Sequence, residues 1–98
     1  MLIVTGSFVA KEGALSEALR LATEHVRRSR LEPGCISHSV HQDAENPSRL
    51  FFFEQWSDKA ALLTHFAVPE SRAFAKAAAE IAVGTSELEV FSAEAVSL

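Results

Sequence analysis

The 98-residue sequence predicts an α+β fold of β-α-β-β-α-β order, the ferredoxin-like arrangement with helices on one face of an antiparallel sheet. Two stretches place apolar residues at helical spacing, four short segments are rich in Ile, Val, Thr and Phe, and Gly and Pro fall at the boundaries between them. No linker, repeat or low-complexity segment divides residues 1–98, which read as a single domain.

Leu2 to Ala10 reads as the first strand, stopped by Lys11-Glu12-Gly13. From Ala14 to about Leu31, Leu15, Ala18, Leu19, Ala22 and Val26 lie on one side of a 3.6-residue spiral. Glu17, Arg20, Glu24, Arg27 and Arg28 take the other side, so the segment is an amphipathic helix. Pro33 and Gly34 end it. Cys35 to Gln42 alternates as a second strand, and the polar run Asp43 to Ser48 closes a hairpin onto a third, Arg49 to Trp56. Ser57 or Asp58 is suited to cap a short helix from Lys59 to about Phe66. Pro69 opens another running to about Val83, with Phe74, Ala78, Ile81 and Ala82 inward, a Lys76–Glu80 pair outward and Gly84 as its stop. Leu88 to about Ala95 is the fourth strand.

Strand parity makes a further demand. Leu50, Phe52, Glu54 and Trp56 point one way and Phe51, Phe53 and Gln55 the other, while Leu2, Val4 and Phe8 oppose Ile3 and Val9. Both faces are apolar, yet the helices can cover only one. Leaving each large apolar side chain wet costs roughly 1.5–3 kcal/mol. The pattern therefore predicts a homodimer whose sheets pack face to face.

Thirteen acidic against nine basic residues give a net charge of −4, which argues against nucleic-acid and anionic-membrane partners. Cys35 is the only cysteine, so no intrachain disulfide forms and a reducing cytoplasm is expected. The N-terminus has no basic leader and its apolar run ends after four residues, so the chain reads as mature, without a signal peptide or membrane span there.

Glu32-Pro33-Gly34-Cys35, then Phe53-Glu54-Gln55-Trp56-Ser57-Asp58, then Ala61-Leu62-Leu63-Thr64-His65-Phe66-Ala67-Val68-Pro69 and Arg72-Ala73-Phe74 resemble the antibiotic biosynthesis monooxygenase (ABM) family in order and spacing, over essentially the whole chain. The resemblance implies a dimeric α/β barrel built from two ferredoxin-like units. It also implies an activity drawn from a mixed set: cofactor-free oxygenases of quinols and polycyclic phenols, haem-degrading relatives, and isomerases of small signalling sugars. The haem-degrading branch fits poorly. Its members use an asparagine on strand one and a tryptophan and histidine on later helices, whereas here Asn46 is in a hairpin loop and Trp56 ends a strand.

Within this frame His65 is the sharpest candidate, in a segment the family places over the pocket. It is either a general base or a packing histidine. Glu54 shares a strand face with Phe52 and Trp56, where burial would raise its pKa, and it is either a proton carrier or a structural carboxylate. His38 stands where many family members have tyrosine, and either bonds a substrate oxygen or packs in the core. Arg72 either holds an anionic oxygen or lies on the surface. Phe8, Phe52, Trp56, Phe66 and Phe74 are candidates to line an aromatic-binding cavity or simply to form core. No metal set converges, because His38 and His41 are three apart on a strand and face opposite ways. Cys35 has no base spaced beside it, and no glycine-rich phosphate loop is present.

The expected activity is cofactor-independent monooxygenation of a quinol or polyphenolic aromatic by molecular oxygen, with His65 or Glu54 as base. The alternatives are proton-shuffling isomerisation of a small oxygenated metabolite and a non-catalytic ligand-binding dimer.

Overall fold

The computed structural model describes residues 1–98 and has the order β1 (Leu2–Ala10), α1 (Leu15–Ser29), β2 (Cys35–Gln42), β3 (Arg49–Trp56), α2 (Lys59–Ala67), α3 (Pro69–Ile81) and β4 (Ala82–Ser92). The four strands form one antiparallel sheet in the order β2-β3-β1-β4. The first three strands have the bounds their residue patterns predict.

Burial alternates from Ile3 to Ala10 along β1 and throughout β3. Val4, Gly6, Phe8 and Ala10 are buried beneath the helices with Leu50, Phe52, Glu54 and Trp56, and the intervening residues are half-buried on the outer face. The register lines these side chains into rows across the sheet, of which two matter here: His38, Glu54, Val4, Val90, and beside it Val40, Phe52, Gly6, Leu88. The helix side of the sheet carries two apolar clusters. The larger joins Phe8, Leu50 and Phe52 to Ala18, Ala22 and Val26 of α1; the smaller is Val4, Trp56 and Leu62. The row containing Glu54 and His38 supplies Val4 to the smaller cluster and runs beside the Phe52 row of the larger.

The end of the chain departs from expectation. Gly84 does not stop a helix: α3 ends at Ile81, β4 starts at Ala82 rather than Leu88, and Gly84 sits inside the strand with φ +69°. Pairing decides this. Ala10 and Val9 of β1 take Ala82 and Val83 as partners, and the register then shifts before resuming at Ser7 opposite Glu87. Ala82 is thus buried as a strand residue, and Lys76 and Glu80 form no ion pair; Lys11 Nζ donates instead to the Glu80 carbonyl at 3.1 Å. Asp58 is the cap of α2, its carboxylate accepting from the Ala61 amide at 2.8 Å.

Gly34 fixes the entry to β2 against α2. Its φ is +83°, its carbonyl accepts from the Ser57 amide at 2.8 Å, and a Cβ there would collide with the Ala61 methyl and approach Ser57 Oγ to 2.8 Å. Gly13 has the same φ but open space around it. In urea denaturation Gly13→Ala should cost about 1–2 kcal/mol, the left-handed penalty alone, and Gly34→Ala distinctly more. Equal losses would mean that the Gly34–α2 contact carries no weight.

Candidate functional site

Three elements bring imidazoles to the Glu54 row. His25 enters from α1, His38 from β2 and His65 from α2, and all three are buried. The His25 ring stacks on Phe74 with centroids 4.1 Å apart, and it meets both His38 and His65 at 5.3 Å. His65 also lies against the Trp56 indole at 4.6 Å.

The polar contacts are unequal. His65 Nδ1–H donates to Glu32 Oε1 at 2.9 Å, which turns Nε2 inward to within 3.9 Å of Glu54 Oε1. The Trp56 Nε1–H donates to the same Glu54 oxygen at 2.9 Å. Glu54 Oε2 lies 3.6 Å from His38 Nε2, too far for a hydrogen bond, and both nitrogens of His38 lack a partner. Arg28 Nη2 donates to His25 Nδ1 at 3.1 Å.

His25, His38, Glu54 and His65 line a cavity of about 500 Å³ between α1, α3 and the sheet. Its apolar walls include Phe8, Phe52, Phe66, Phe74 and Leu88, and its floor is opened by Gly6, which puts no side chain between Phe52 and Leu88 in their row. His65, Glu54 and His38 face it from buried positions, and Arg72 stands exposed on its lining with no ion pair. Trp56 is placed differently. It is fully buried behind Glu54 and His65 and does not line the cavity. His41 points out to solvent, as its parity with His38 predicts.

His25 and Glu32 are the functional candidates that sequence reasoning missed. A signal for His25 existed: Ala18, Ala22, His25 and Ser29 continue one inward stripe of α1. The pairing of Glu32 with His65 spans 33 positions and leaves no local signature.

Burial governs the ionisation of the group. It drives the pKa of His25 down to about 3, helped by His38, His65 and Arg28, and that of His38 to about 3, helped by His65 and Arg30. Burial also raises the Glu54 pKa, against the opposing pull of the Trp56 hydrogen bond and His65. Cys35 is likewise raised, first by burial and then by Glu54 and Glu32, which makes it a poor nucleophile. The site thus holds two neutral imidazoles, His25 and His38, beside His65 and a carboxyl of weakened acidity around an apolar space, a set suited to moving protons.

Acid lability follows. His25 and His38 bind protons more readily unfolded than folded, so their contribution is intact above pH 6.5 and is lost as pH falls toward 3. Lowering pH from about 7.5 to 5.5 should cost about 1 kcal/mol per histidine. Glu54, raised in the fold, acts with opposite sign, and the two histidines carry the larger shifts. Urea midpoints across this range should drop on acidification; a flat or rising profile would contradict the buried neutral assignment.

The chain matches the antibiotic biosynthesis monooxygenase family over residues 1–77. It is 30% identical over 90 residues to an uncharacterised protein of Synechocystis sp., covering 92% of this chain but only 61% of that protein. A Deinococcus radiodurans structure described as a candidate antibiotic biosynthesis monooxygenase superposes with a TM-score of 0.94 at 24% identity, over 100% of this chain and 98% of the other, a likeness of fold. Another structure, described as an antibiotic biosynthesis monooxygenase, gives a TM-score of 0.90 at 26% identity over 97% and 100% of the two chains. With four-fifths of its length matched and its strand and helix order shared throughout, the chain belongs to the antibiotic biosynthesis monooxygenase family.

Proposed function

We propose that the protein is a monooxygenase that oxidises a quinol or polyphenolic aromatic with molecular oxygen, without a metal or organic cofactor, and that His65 is its base. The observation that carries this reading is the Glu32–His65 pair, in which His65 is buried at the wall of an aromatic-lined cavity of about 500 Å³ and part-buried Glu32 stands behind it. Glu32 holds the proton on Nδ1, so the Nε2 lone pair is presented inward to take one from a phenolic hydroxyl. The resulting anion gives up electrons to oxygen. One oxygen atom stays on the substrate, and the other leaves as water with two hydrogens lost from it. Phe52, Phe66 and Phe74 hold the ring, Arg72 is placed to meet an anionic oxygen, and His38 lies deeper beside Glu54. Trp56 acts through Glu54 and His65 rather than by touching substrate.

Oxygen uptake with a panel of hydroquinones and naphthols tests this. His65→Ala should lower turnover by about 10²- to 10⁴-fold, the usual worth of a positioned base. Gly6→Val, which fills the cavity floor, should abolish saturation by the same substrates. Equal rates in wild type and His65→Ala would dismiss the mechanism. The 3.9 Å approach of His65 Nε2 to Glu54 favours one competitor, an isomerase passing a proton between the two groups. That reading predicts solvent deuterium in the product with no oxygen consumed, whereas a non-catalytic binder would return its ligand unchanged.

The same proposal includes a homodimer in a reducing cytoplasm, suited to a single thiol. Its support is the apolar content of the outer sheet face, Ile3, Phe51, Phe53 and Phe91, the last 45% exposed, together with the uncovered Val83, Leu88 and Val90 of β4. Sedimentation at micromolar protein should give twice the 10.6 kDa chain mass, and Phe53→Glu should halve it. A wild-type mass of one chain would overturn the dimer.

A further inference from the structure

We propose that His25, His38 and His65, with Glu54 as a fourth donor, form a binding site for one divalent transition-metal ion of the zinc class. One ring nitrogen from each histidine lies within 4.8 Å of the others. A tetrahedral ion with nitrogen bonds near 2.0–2.1 Å needs these atoms about 3.3 Å apart, so the required contraction is at most about 1.5 Å. Glu54 already spans the set, with Oε2 3.6 Å from His38 Nε2 and Oε1 3.9 Å from His65 Nε2. The donors come from α1, β2, β3 and α2, so no single element's periodicity explains their convergence.

A second observation points to a ligand. His38 is 2% exposed and neither of its nitrogens has a hydrogen-bond partner, an arrangement that is costly for a buried polar ring. A metal ion beside Glu54 would satisfy Nε2 directly. His65 shows the complementary feature. Its outward nitrogen is fixed by the Glu32 carboxylate, the contact that commonly orients a metal-bound imidazole. Three nitrogens and one carboxylate oxygen suit Zn²⁺, Co²⁺ or Ni²⁺ better than Ca²⁺ or Mg²⁺, which prefer oxygen shells.

Arg28 opposes binding. Its guanidinium donates to His25 Nδ1, which places the ring proton on Nε2; coordination through Nε2 needs that proton on Nδ1 and Arg28 displaced. The inference stands independently of turnover and also bears on it. His65 Nε2 has one lone pair, so an ion there excludes the proton abstraction proposed above, and metal-loaded and base-competent forms are alternatives.

The test is titration of the metal-stripped full chain with Zn²⁺ by calorimetry and with Co²⁺ by visible absorption, no substrate being present. One ion per chain is expected, with cobalt bands of tetrahedral intensity and quenching of the only tryptophan, Trp56, whose ring centroid lies 4.6 Å from that of His65. His38→Phe and His25→Gln should each weaken binding by more than about tenfold. Arg28→Glu should tighten it, and loss of the solvent-facing His41 by His41→Ala should leave it unchanged. Circular dichroism identifies any variant that fails to fold, and the Arg28→Glu gain is then the deciding measurement. No uptake by wild type at micromolar ion, or uptake that survives loss of His38 and His25 in folded variants, overturns the proposal. Metal binding with no oxygen uptake by the metal-free form would defeat only the oxygenase reading, and oxygen uptake by the metal-free form with no metal binding only this one.

Discussion

A carboxylate on the core face of a central strand is the constraint around which this molecule is arranged. The period of β3 allows no alternative: with Leu50, Phe52 and Trp56 directed at the helices, Glu54 must follow them. A buried carboxyl without donors is expensive, and its one direct donor is the indole two residues away on the same face. Three of the four histidines in the sequence then gather around it from separate elements. The apolar core falls into two clusters, and Glu54 with His38, where they meet, is where chemistry becomes possible.

The cavity depends on small residues as much as on aromatic ones. Gly6 leaves a gap in the row between Phe52 and Leu88, and Ala75 and Ala78 of α3 face the space without filling it. Each missing side chain forfeits dispersion contacts that a packed core would have, and the orphaned His38 adds a desolvation cost. A chain under 100 residues has little stability to spare. Such weakness persists at sites where a ligand or ion completes the packing.

The strands β1, β2 and β3 were legible to the residue because alternation and Gly or Pro punctuation agree there. β4 was not, because a glycine after an apolar helix is a local stop signal and the decisive partner, β1, is seventy residues away in sequence. The parity that groups Glu54 with Phe52 and Trp56 was readable, and the family resemblance set His65 over the pocket, but how His65 lies relative to Glu54 was not readable. Depth was not: period-2 reasoning puts Trp56 on the right face without saying that Glu54 and His65 lie between it and the cavity. His25 escaped because Glu24, Arg27 and Arg28 surround it in sequence and mask an inward position on α1. Contacts between distant elements, such as Glu32 with His65, exist only after the sheet has formed.

The sheet's exposed surfaces are also less symmetric than strand composition implies. The outer face interleaves Thr5, Ser7, Ser37 and Gln55 with its Phe and Ile side chains, and Ser37 Oγ donates to Gln55 Oε1 at 2.8 Å. The stronger apolar exposure is on β4, an edge strand of eleven residues of which only Ala82 is buried. Leu88 and Val90 share the helix face with Gly6 and Val4, yet are 57% and 46% exposed because the helices do not reach them. Gly84 to Leu88 is also one wall of the cavity. Any surface that shelters β4 therefore also narrows the route from solvent to His65, so association and site closure draw on the same strand. If that surface is a second copy, the dryness on which proton transfer and oxygen chemistry both depend varies with protein concentration, and the isolated chain has an open, hydrated form of the same site.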